Sequence, residues 1–401
     1  MGALFRSLMV LFGSNRDRTK PAQSQVTSSI MIGLQVIRPG VTLILSLLST
    51  IGPLLSILAL TSASGATFVG LGDLPGGNFH SDATAVSEDG SVVVGRSASE
   101  AGDEGFLWKF GGGSMVGLGD LPGGHHSSIA TGVSSDGNVV VGTSHSNSGG
   151  EAFLWTPDDG MRGLRDLPGG GFSSYASGVS ANGTVVAGFG SSNASPIGEA
   201  FRWSRGAGMT GLGRLTYGEG FMPSKARGIS ADGQVVVGFS GSVYGAEAFR
   251  WSAAEGMEGL GDLPGGTFSS EALSVSADGQ VIVGYANSEQ GQEAFRWTRS
   301  SGMSTCGTFS SGYFYSEALD LSADGNTVVG YSLGKHGQRA FIWDEHHGMR
   351  DLQDVLVNSY GLDLNGWTLK MARAISGDGL TIVGKGINPD GNEEAWMVRL
   401  V

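Results

Sequence analysis

The chain has 401 residues, of which 70 are Gly and one is Cys, and its formal net charge is −13. So much Gly without a three-residue period excludes collagen and indicates many tight turns, and a single Cys excludes an intramolecular disulfide framework. Residues 67–401 hold 19 basic and 36 acidic residues. An acidic body of this kind repels phosphate backbones, which argues against nucleic-acid binding.

The N-terminal region has the pattern of an export segment. Residues 41–60 carry no charge, basic residues precede them, and small residues follow at 62–66. This order is typical of a secretory signal with cleavage after Ala66. An uncleaved membrane anchor and a buried core helix stay open as alternatives. The sequence therefore predicts an export signal or membrane anchor over residues 1–66. We expect an extracellular or cell-surface protein, touching a membrane only through residues 41–60 if that segment is not cleaved.

Seven repeats follow, each marked by the phrase Ser-x-Asp-Gly, with Asn for Asp in the third. Units 1 to 7 are numbered by the Ser of this phrase, at Ser87, Ser134, Ser180, Ser230, Ser276, Ser322 and Ser376. Each unit contains four short strand-like pieces, and Asp-Gly between apolar runs is a strong hairpin signal. A second phrase, Glu-Ala-Phe-x-Trp, recurs about every 47 residues. Four strands and one Trp per period are typical of a β-propeller blade.

The two ends of the repeat region complete each other. Residues 68–74 match a fourth strand that lacks the first three, and the chain stops after a third strand at residues 394–400. Every unit has the same four strands only if these two fragments share one sheet. A closed ring requires such a shared sheet, and a linear solenoid does not. We therefore predict an all-β fold for residues 67–401. It is a monomeric seven-bladed β-propeller with four antiparallel strands per blade, its last blade closed by an N-terminal strand.

The repeated phrases resemble those of a known family. Gly-Leu-Gly-Asp-Leu-Pro-Gly-Gly (from Gly70, Gly117 and Gly259), Val-Ser-x-Asp-Gly-x-Val-Val-Val-Gly and Glu-Ala-Phe-x-Trp together resemble the HAF repeats of extracellular bacterial proteins, named for a His-Ala-Phe triplet. Here the first position of the triplet holds Glu or, at Arg339, Arg, and never His. The resemblance implies β-propeller-like repeats and an exported location, and it implies no catalytic residues.

One candidate binding surface is an aromatic position in the connection Leu-Pro-Gly-Gly-x-Phe-Ser-Ser. It is occupied by Phe79, His126, Phe172, Phe268, Phe314 and Trp367, with Phe221 or Met222 in unit 4. In a propeller this connection belongs to the face where ligands usually bind, and flat rings beside hydroxyls suit sugars or peptides. The alternative is that these rings cover the core at the mouth of each blade.

A second candidate is the position just before the recurring Ala of the first strand. It reads Asp82, Ile129, Tyr175, Lys225, Glu271, Glu317 and Met371. Because neighbouring positions repeat closely while this one varies, its side chains are free of the packing of the blade. Either a ligand determines which residues occupy this position, or the position is exposed and its residues vary without constraint. We take Asp82, Tyr175, Lys225, Glu271 and Glu317 as candidate ligand-binding residues.

Other chemistry is not indicated. One Asp per turn supplies too few oxygens for Ca²⁺, so we expect no metal and no cofactor. Asp73, Asp120, Asp166, Asp262 and Asp354 are predicted to make structural hydrogen bonds in the fourth strands. Cys306 replaces a Leu of other units and is predicted to be a small buried hydrophobe.

The sequence favours binding over catalysis. The first hypothesis is an exported binding or adhesion module for a carbohydrate, a peptide or a surface partner. The second is a secreted glycoside hydrolase or lyase that uses Asp82, Glu271 and Glu317 as acid and base at the channel mouth. The third is a surface scaffold without a small ligand.

Overall fold

The computed structural model describes residues 65–215, 222–309 and 314–400. Apart from its last two residues, the predicted export segment lies outside this part of the chain. Within the described residues no helix is both long enough and apolar enough to cross a bilayer.

The described chain consists of short strands and one helix. The first half contains β1 (Thr67–Gly70), β2 (Gly76–Val86), β3 (Val92–Ser99), β4 (Asp103–Lys109), β5 (Val116–Gly117), β6 (Gly123–Val133), β7 (Val140–Ser146), β8 (Gly149–Thr156), β9 (Gly160–Gly163), β10 (Gly169–Val179), β11 (Val185–Ser192), β12 (Glu199–Ser204), β13 (Gly208–Gly211) and β14 (Ser224–Ile229). The second half contains β15 (Val235–Gly241), β16 (Ala246–Ser252), β17 (Gly256–Gly259), β18 (Gly265–Val275), β19 (Val281–Ser288), β20 (Gly291–Thr298), β21 (Gly302–Gly307), β22 (Phe314–Leu321), β23 (Thr327–Gly334), β24 (Gly337–Asp344), β25 (Gly348–Asp351), helix α1 (Leu352–Tyr360), β26 (Thr368–Ile375), β27 (Thr381–Ile387) and β28 (Glu393–Arg399).

The strands pair as antiparallel runs of four, which confirms the all-β prediction and the four strands per sheet. Four such sheets are separate, and the remaining strands of the described chain form a larger sheet. In that larger sheet, three antiparallel runs are joined by short parallel contacts, Ala246 with Ser269 and residues 291–292 with 314–315. The Asp-Gly turns join the first and second strands as predicted, and Gly90, for example, has a φ of 70° that favours Gly, whereas the Asp before it does not have a positive φ.

The N-terminal strand completes the C-terminal sheet, as predicted. Strand β1 pairs antiparallel with β28, with Thr67 opposite Arg399 and Gly70 opposite Trp396. The pairing extends beyond β1, because Leu71 N donates to Ala395 O over 2.9 Å. Backbone hydrogen bonds therefore join the first and last strands of the described chain.

The Ser-x-Asp-Gly turns are linked to one another. From unit 2 onward, the residue after the Ser donates its backbone N–H to the carbonyl of its counterpart in the next unit, as in Ser135 N to Ala181 O at 2.9 Å. These bonds continue from unit 2 to unit 7, and Gly377 N of unit 7 donates to Glu88 O of unit 1 at 3.0 Å. The Ser135 hydroxyl bonds the Glu88 carboxylate and closes the ring. Each turn Asp accepts a hydrogen bond from the Ser hydroxyl of its own turn, as Asp136 does from Ser134. In unit 2 this bond lowers the pKa of Asp136. The contact supports the prediction that these Asp are turn residues.

The core lies between neighbouring sheets. The Phe residues of the third strands are fully buried, and the register places each of them opposite a Gly of the second strand, as Phe106 lies opposite Gly95. In the last sheet the register places Trp396 opposite Gly384, so Trp396 holds the Phe position and is not the counterpart of the repeated Trp. Cys306 is buried in this core and burial raises its pKa to about 12, which confirms the buried-hydrophobe prediction.

Two sequence predictions about the fourth strands are wrong. The strands end earlier than expected, so that Asp166 and Asp262 lie in the connections after them. There they accept backbone hydrogen bonds, Asp166 from Ser173 N at 2.8 Å, so their predicted structural role is confirmed. Asp354 lies in helix α1 instead of a strand, because Asp351 caps the N-terminus of that helix and Leu352 and Leu356 bury its inner face.

Candidate functional site

The first strands of all units contribute to one cavity. Its volume is about 470 Å³, and every unit contributes to its lining the residue directly after the recurring Ala. These residues are Thr84, Thr131, Ser177, Arg227, Leu273, Leu319 and Arg373. The same residues line a narrower cavity of about 240 Å³ that continues inward. The ring of linked turns lies four residues further along each first strand, beyond the smaller cavity.

A β-bulge in each first strand aims these side chains. In unit 1, Ala83 pairs with Gly95 and Ala85 with Val94, so that Thr84 has no partner across the ladder. The same one-residue shift occurs in the first strand of every other unit. A bulge re-aims a side chain and strengthens the local twist. The bulged residue is therefore released from the sheet and lines the cavity.

One wall of the cavity is aromatic. Tyr175 and Phe189 stack with ring centroids 4.9 Å apart and an interplanar angle of 18°, and both line the cavity together with Ile129. Two cations lie over Phe189, Lys225 with its Nζ 4.7 Å from the ring centroid and Arg227 at 5.8 Å. This wall offers a flat apolar surface bordered by positive charge.

Arg373 joins the last unit to the first. Its Nη2 donates to Asp82 Oδ2 at 2.9 Å and its Nε to Asp82 Oδ1 at 3.3 Å, which makes a two-pronged ion pair. The Asp82 side chain is 2% exposed, whereas that of Arg373 is 32% exposed and lines the cavity. The carboxylate is thus sealed behind the guanidinium.

Arg227 repeats this arrangement in unit 4. Its Nε donates to Glu271 Oε1 at 2.6 Å, and the other oxygen of Glu271 accepts from the Tyr285 hydroxyl at 2.6 Å. The Glu271 side chain is 11% exposed and that of Arg227 is 36% exposed. Burial and the nearby Glu271 charge raise the pKa of Tyr285, which keeps its hydroxyl a donor.

A half-buried acid lies in the inner cavity. Asp320 lines the inner cavity and accepts hydrogen bonds from the Ser274 hydroxyl at 2.7 Å and from Ile375 N at 2.9 Å. Desolvation raises its pKa to about 6, against the lowering effect of those hydrogen bonds. Asp320 thereby ties together the first strands of units 5, 6 and 7.

The structure disperses the aromatic residues that the sequence singles out. None of the described residues lining the cavity belongs to that position. Phe79 and Phe314 are exposed, at 40% and 43%, and Phe172 and Phe268 are half-buried. Trp367 is only 9% exposed and packs edge-on against Phe68 in the core, so for Trp367 the structure agrees with the core-covering alternative.

His126 takes the aromatic position in unit 2 and lies between two acids. Its Nδ1 is 3.0 Å from an oxygen of Asp120, and its Nε2 is 3.3 Å from an oxygen of Glu104. Among the described residues no group of His, Cys, Asp or Glu is arranged to hold a metal ion.

The second predicted set lies closer to the cavity. Tyr175 lines it, and Asp82, Lys225 and Glu271 contact residues that do. Glu317 is held by Tyr315 and by Gln292 Nε2, at 2.8 and 2.9 Å. Each of the three proposed catalytic carboxylates is therefore engaged with a donor of the protein itself.

Sequence reasoning missed the bulged residues. Their position varies from Thr to Leu to Arg and follows the constant Ala, two residues after the variable position singled out above. In a regular strand, residues two apart face the same side of the sheet. The variability of this second position was therefore the available signal that it shares a surface with the first, whereas the bulge itself is visible only in the pairing register.

No protein-family profile matches the chain, and no curated protein matches it. Solved structures do share its architecture. The β-propeller domain of the Trilobed protease from Pyrococcus furiosus is 11% identical with a TM-score of 0.50, over 80% of this chain and 92% of that one.

Two further structures are similar at lower scores. An oligogalacturonate lyase in complex with manganese is 10% identical with a TM-score of 0.49, over 79% of this chain and 88% of that one. TolB from Acinetobacter baumannii is 12% identical with a TM-score of 0.45, over 64% of this chain and 62% of that one, less than two thirds of its length. At such identities, the likeness to the propeller domain of the protease shows the fold alone: the strands of the described chain form a β-propeller.

Proposed function

We propose that this protein is an exported or cell-surface binding module, and that its ligand enters the central cavity from the loop face. The ligand is a carbohydrate, a peptide or such a group on a surface partner. The observation that carries the proposal is the cavity of about 470 Å³, to which every unit contributes the residue that its bulge releases. A pocket of this size, with an aromatic wall, hydroxyls and few charges, suits a small ligand or one residue of a polymer.

The proposal includes seven blades. Seven repeat units supply the cavity residues, and the turn after the first strand of each unit takes part in one ring of hydrogen bonds. The larger sheet then consists of three blades that touch through short parallel contacts. In this arrangement the linked turns encircle the end of the cavity opposite the loop face.

The binding site is tested by filling it. Ile129 lines the cavity and is half-buried, so Ile129→Trp places an indole in the space meant for the ligand. The matched control is Val116→Trp, since Val116 is a β-branched residue on an outer strand and is 56% exposed. Wild-type protein and both variants are applied to glycan and peptide arrays.

For the glycans or peptides that the wild type binds, we expect Ile129→Trp to lower the affinity at least about tenfold, about 1.4 kcal/mol. Val116→Trp should leave the affinity unchanged. Binding that survives Ile129→Trp, or a wild type that binds nothing on either array, contradicts the proposal. The export part is checked separately by N-terminal sequencing of protein recovered outside the cytoplasm. Protein found only inside cells contradicts it.

A further inference from the structure

We infer that the cavity selects a small carboxylic acid that carries a flat ring, with Arg227 and Arg373 as the groups that recognise the carboxylate. This inference rests on the proposed binding function and names the ligand class for it.

The first support is the exposure of the charges. In both ion pairs the arginine faces the cavity, at 36% and 32% exposure, and the acid lies behind it, at 11% and 2%. In the outer cavity a ligand therefore meets these guanidinium groups, because the carboxylates of Asp82 and Glu271 lie behind them. Residues 67–401 carry a net charge of −17, so the two arginines place positive charge in the cavity of an otherwise acidic protein.

The second support is unused donor capacity. A guanidinium has five N–H groups in a planar fork. Arg227 commits its Nε to Glu271, and Arg373 commits Nε and Nη2 to Asp82. Each arginine thus keeps N–H groups for a second acceptor, held in place by the buried acid on its other side. Such preorganised donors lose little entropy when a ligand binds.

The third support is the placement of the two arginines relative to the aromatic wall. They belong to units 4 and 7, which are far apart around a ring of seven, and the stacked Tyr175 and Phe189 belong to unit 3. A ring lying on Tyr175 leaves its carboxylate within the same cavity as both guanidinium groups. Because each arginine is already partly neutralised, the cavity suits one negative charge better than the two of a phosphate.

The test compares acids with their own amides. The full-length protein is titrated calorimetrically with 4-hydroxybenzoate and 4-hydroxybenzamide, and with glucuronate and glucuronamide, up to about 10 mM, beyond the weak millimolar range of binding. We expect 4-hydroxybenzoate, the acid with the flat ring, to bind at least about tenfold more tightly than its amide and more tightly than glucuronate. Inorganic phosphate is titrated in the same way and should bind more weakly than that acid.

Two paired variants remove the charges without stranding a buried acid. Asp82→Asn with Arg373→Gln, and Glu271→Gln with Arg227→Gln, keep hydrogen-bonding groups and leave the net charge unchanged. Each should weaken acid binding at least about tenfold and leave amide binding as it was. Arg299→Gln is the control, because Arg299 is 52% exposed and pairs with Glu255 and Glu258 instead.

Acids that bind no better than amides, phosphate that binds more tightly than the acids, or paired variants that keep full acid affinity would overturn the inference. Failure of all four compounds to bind overturns it as well. These outcomes leave the binding function standing if Ile129→Trp still abolishes array binding. Loss of that array effect would remove the binding function and this inference together.

Discussion

At the scale of single residues, the bulge separates the chemistry of the cavity from the stability of the sheet. The residues on either side of Thr84 pair across the ladder, and Thr84 itself does not. A Gly of the second strand opposes each bulge, and a Cβ there would collide with the carbonyl of the residue before the Ala, as at Gly142 with Ile129 O. The Gly and the Ala are therefore fixed by sterics, while the bulged residue is free to be Thr, Leu or Arg.

Asp320 gives a pH prediction at this scale. Its pKa rises from 3.8 to about 6 on folding, so between these values the folded protein holds a proton that the unfolded chain has lost. The contribution of this group to stability is therefore full below about pH 4 and falls as the pH rises through 6. Relative to wild type, the free energy of unfolding of Asp320→Asn should increase by about 1–3 kcal/mol between pH 4 and pH 7, measured by urea unfolding.

A turn carboxylate serves as the control of opposite sign. The hydrogen bond from Ser322 lowers the pKa of Asp324, so its stabilising effect is present at neutral pH and is lost as the pH falls. Asp324→Asn should therefore lose stability relative to wild type as the pH rises. The same direction for both variants would show that the burial of Asp320 does not control its titration.

At the scale of elements, helix α1 replaces part of a repeat and has its own start and stop. Asp351 accepts backbone hydrogen bonds from Gln353 N at 2.9 Å and Asp354 N at 3.4 Å, and it accepts a third from Arg339 Nε at 3.1 Å. Gly361, with a φ of 68°, ends the helix. Arg339 stands where most other units have Glu, so the substitution in the repeated phrase and the inserted helix belong together.

We predict that Asp351→Ala lowers the free energy of unfolding by about 1–2 kcal/mol, because it removes a helix N-cap and leaves Arg339 without its acid. Asp351→Asn should cost less than about 1 kcal/mol, since Asn caps helices equally well and only the charge pair is lost. Chemical unfolding of both variants measures the difference. Equal losses would mean that the cap contributes nothing.

The sequence predicted the strands more reliably than this helix for a physical reason. Strand and turn signals repeat in every unit, so that errors in one unit are corrected by the others. The helix occurs once, and its signals, Asp351 before an apolar Leu352 and Gly361 after the last turn, were hidden by the expectation of another repeat. The bulges were not predicted for a different reason. An extra residue in a strand is visible only in the pairing register.

At the scale of the whole molecule, the closure of the ring was predictable from the fragments at its two ends, and the cavity was not. Closure follows from counting strand types, which needs only the linear order of motifs. The cavity depends on how far the first strands of separate units approach each other, and the predicted aromatic residues lie away from it. Of the two predicted positions, the one just before the recurring Ala lies nearer to the cavity, since Asp82 and Glu271 form ion pairs with its two arginines.

Closure also predicts tolerance to a new chain order. Because Thr67 lies opposite Arg399 in an antiparallel pair, a short Gly/Asn turn can link β28 to β1 as a hairpin. New ends are then opened between Asp158 and Asp159, an exposed outer turn. We expect this permuted protein to keep the far-UV circular dichroism of the wild type and to melt in one transition, within about 5 °C.

Opening the same ends without the linking turn gives the comparison, as two fragments mixed together. If the permuted protein is as poorly folded as the fragment mixture, β1 and β28 are not neighbours in solution.

The pairing of β1 with β28 also delays the completion of folding until the end of synthesis. Gly72 donates to Glu394, a residue 322 positions later, and ribosomes add roughly 5–20 residues per second, so the first strand waits roughly 15–60 s for its partner to be made. Throughout that interval the nascent β1 offers an open edge to any complementary strand nearby. An exchanged dimer, in which β1 of one copy completes the last sheet of another, is the competing product that each newly made molecule must escape.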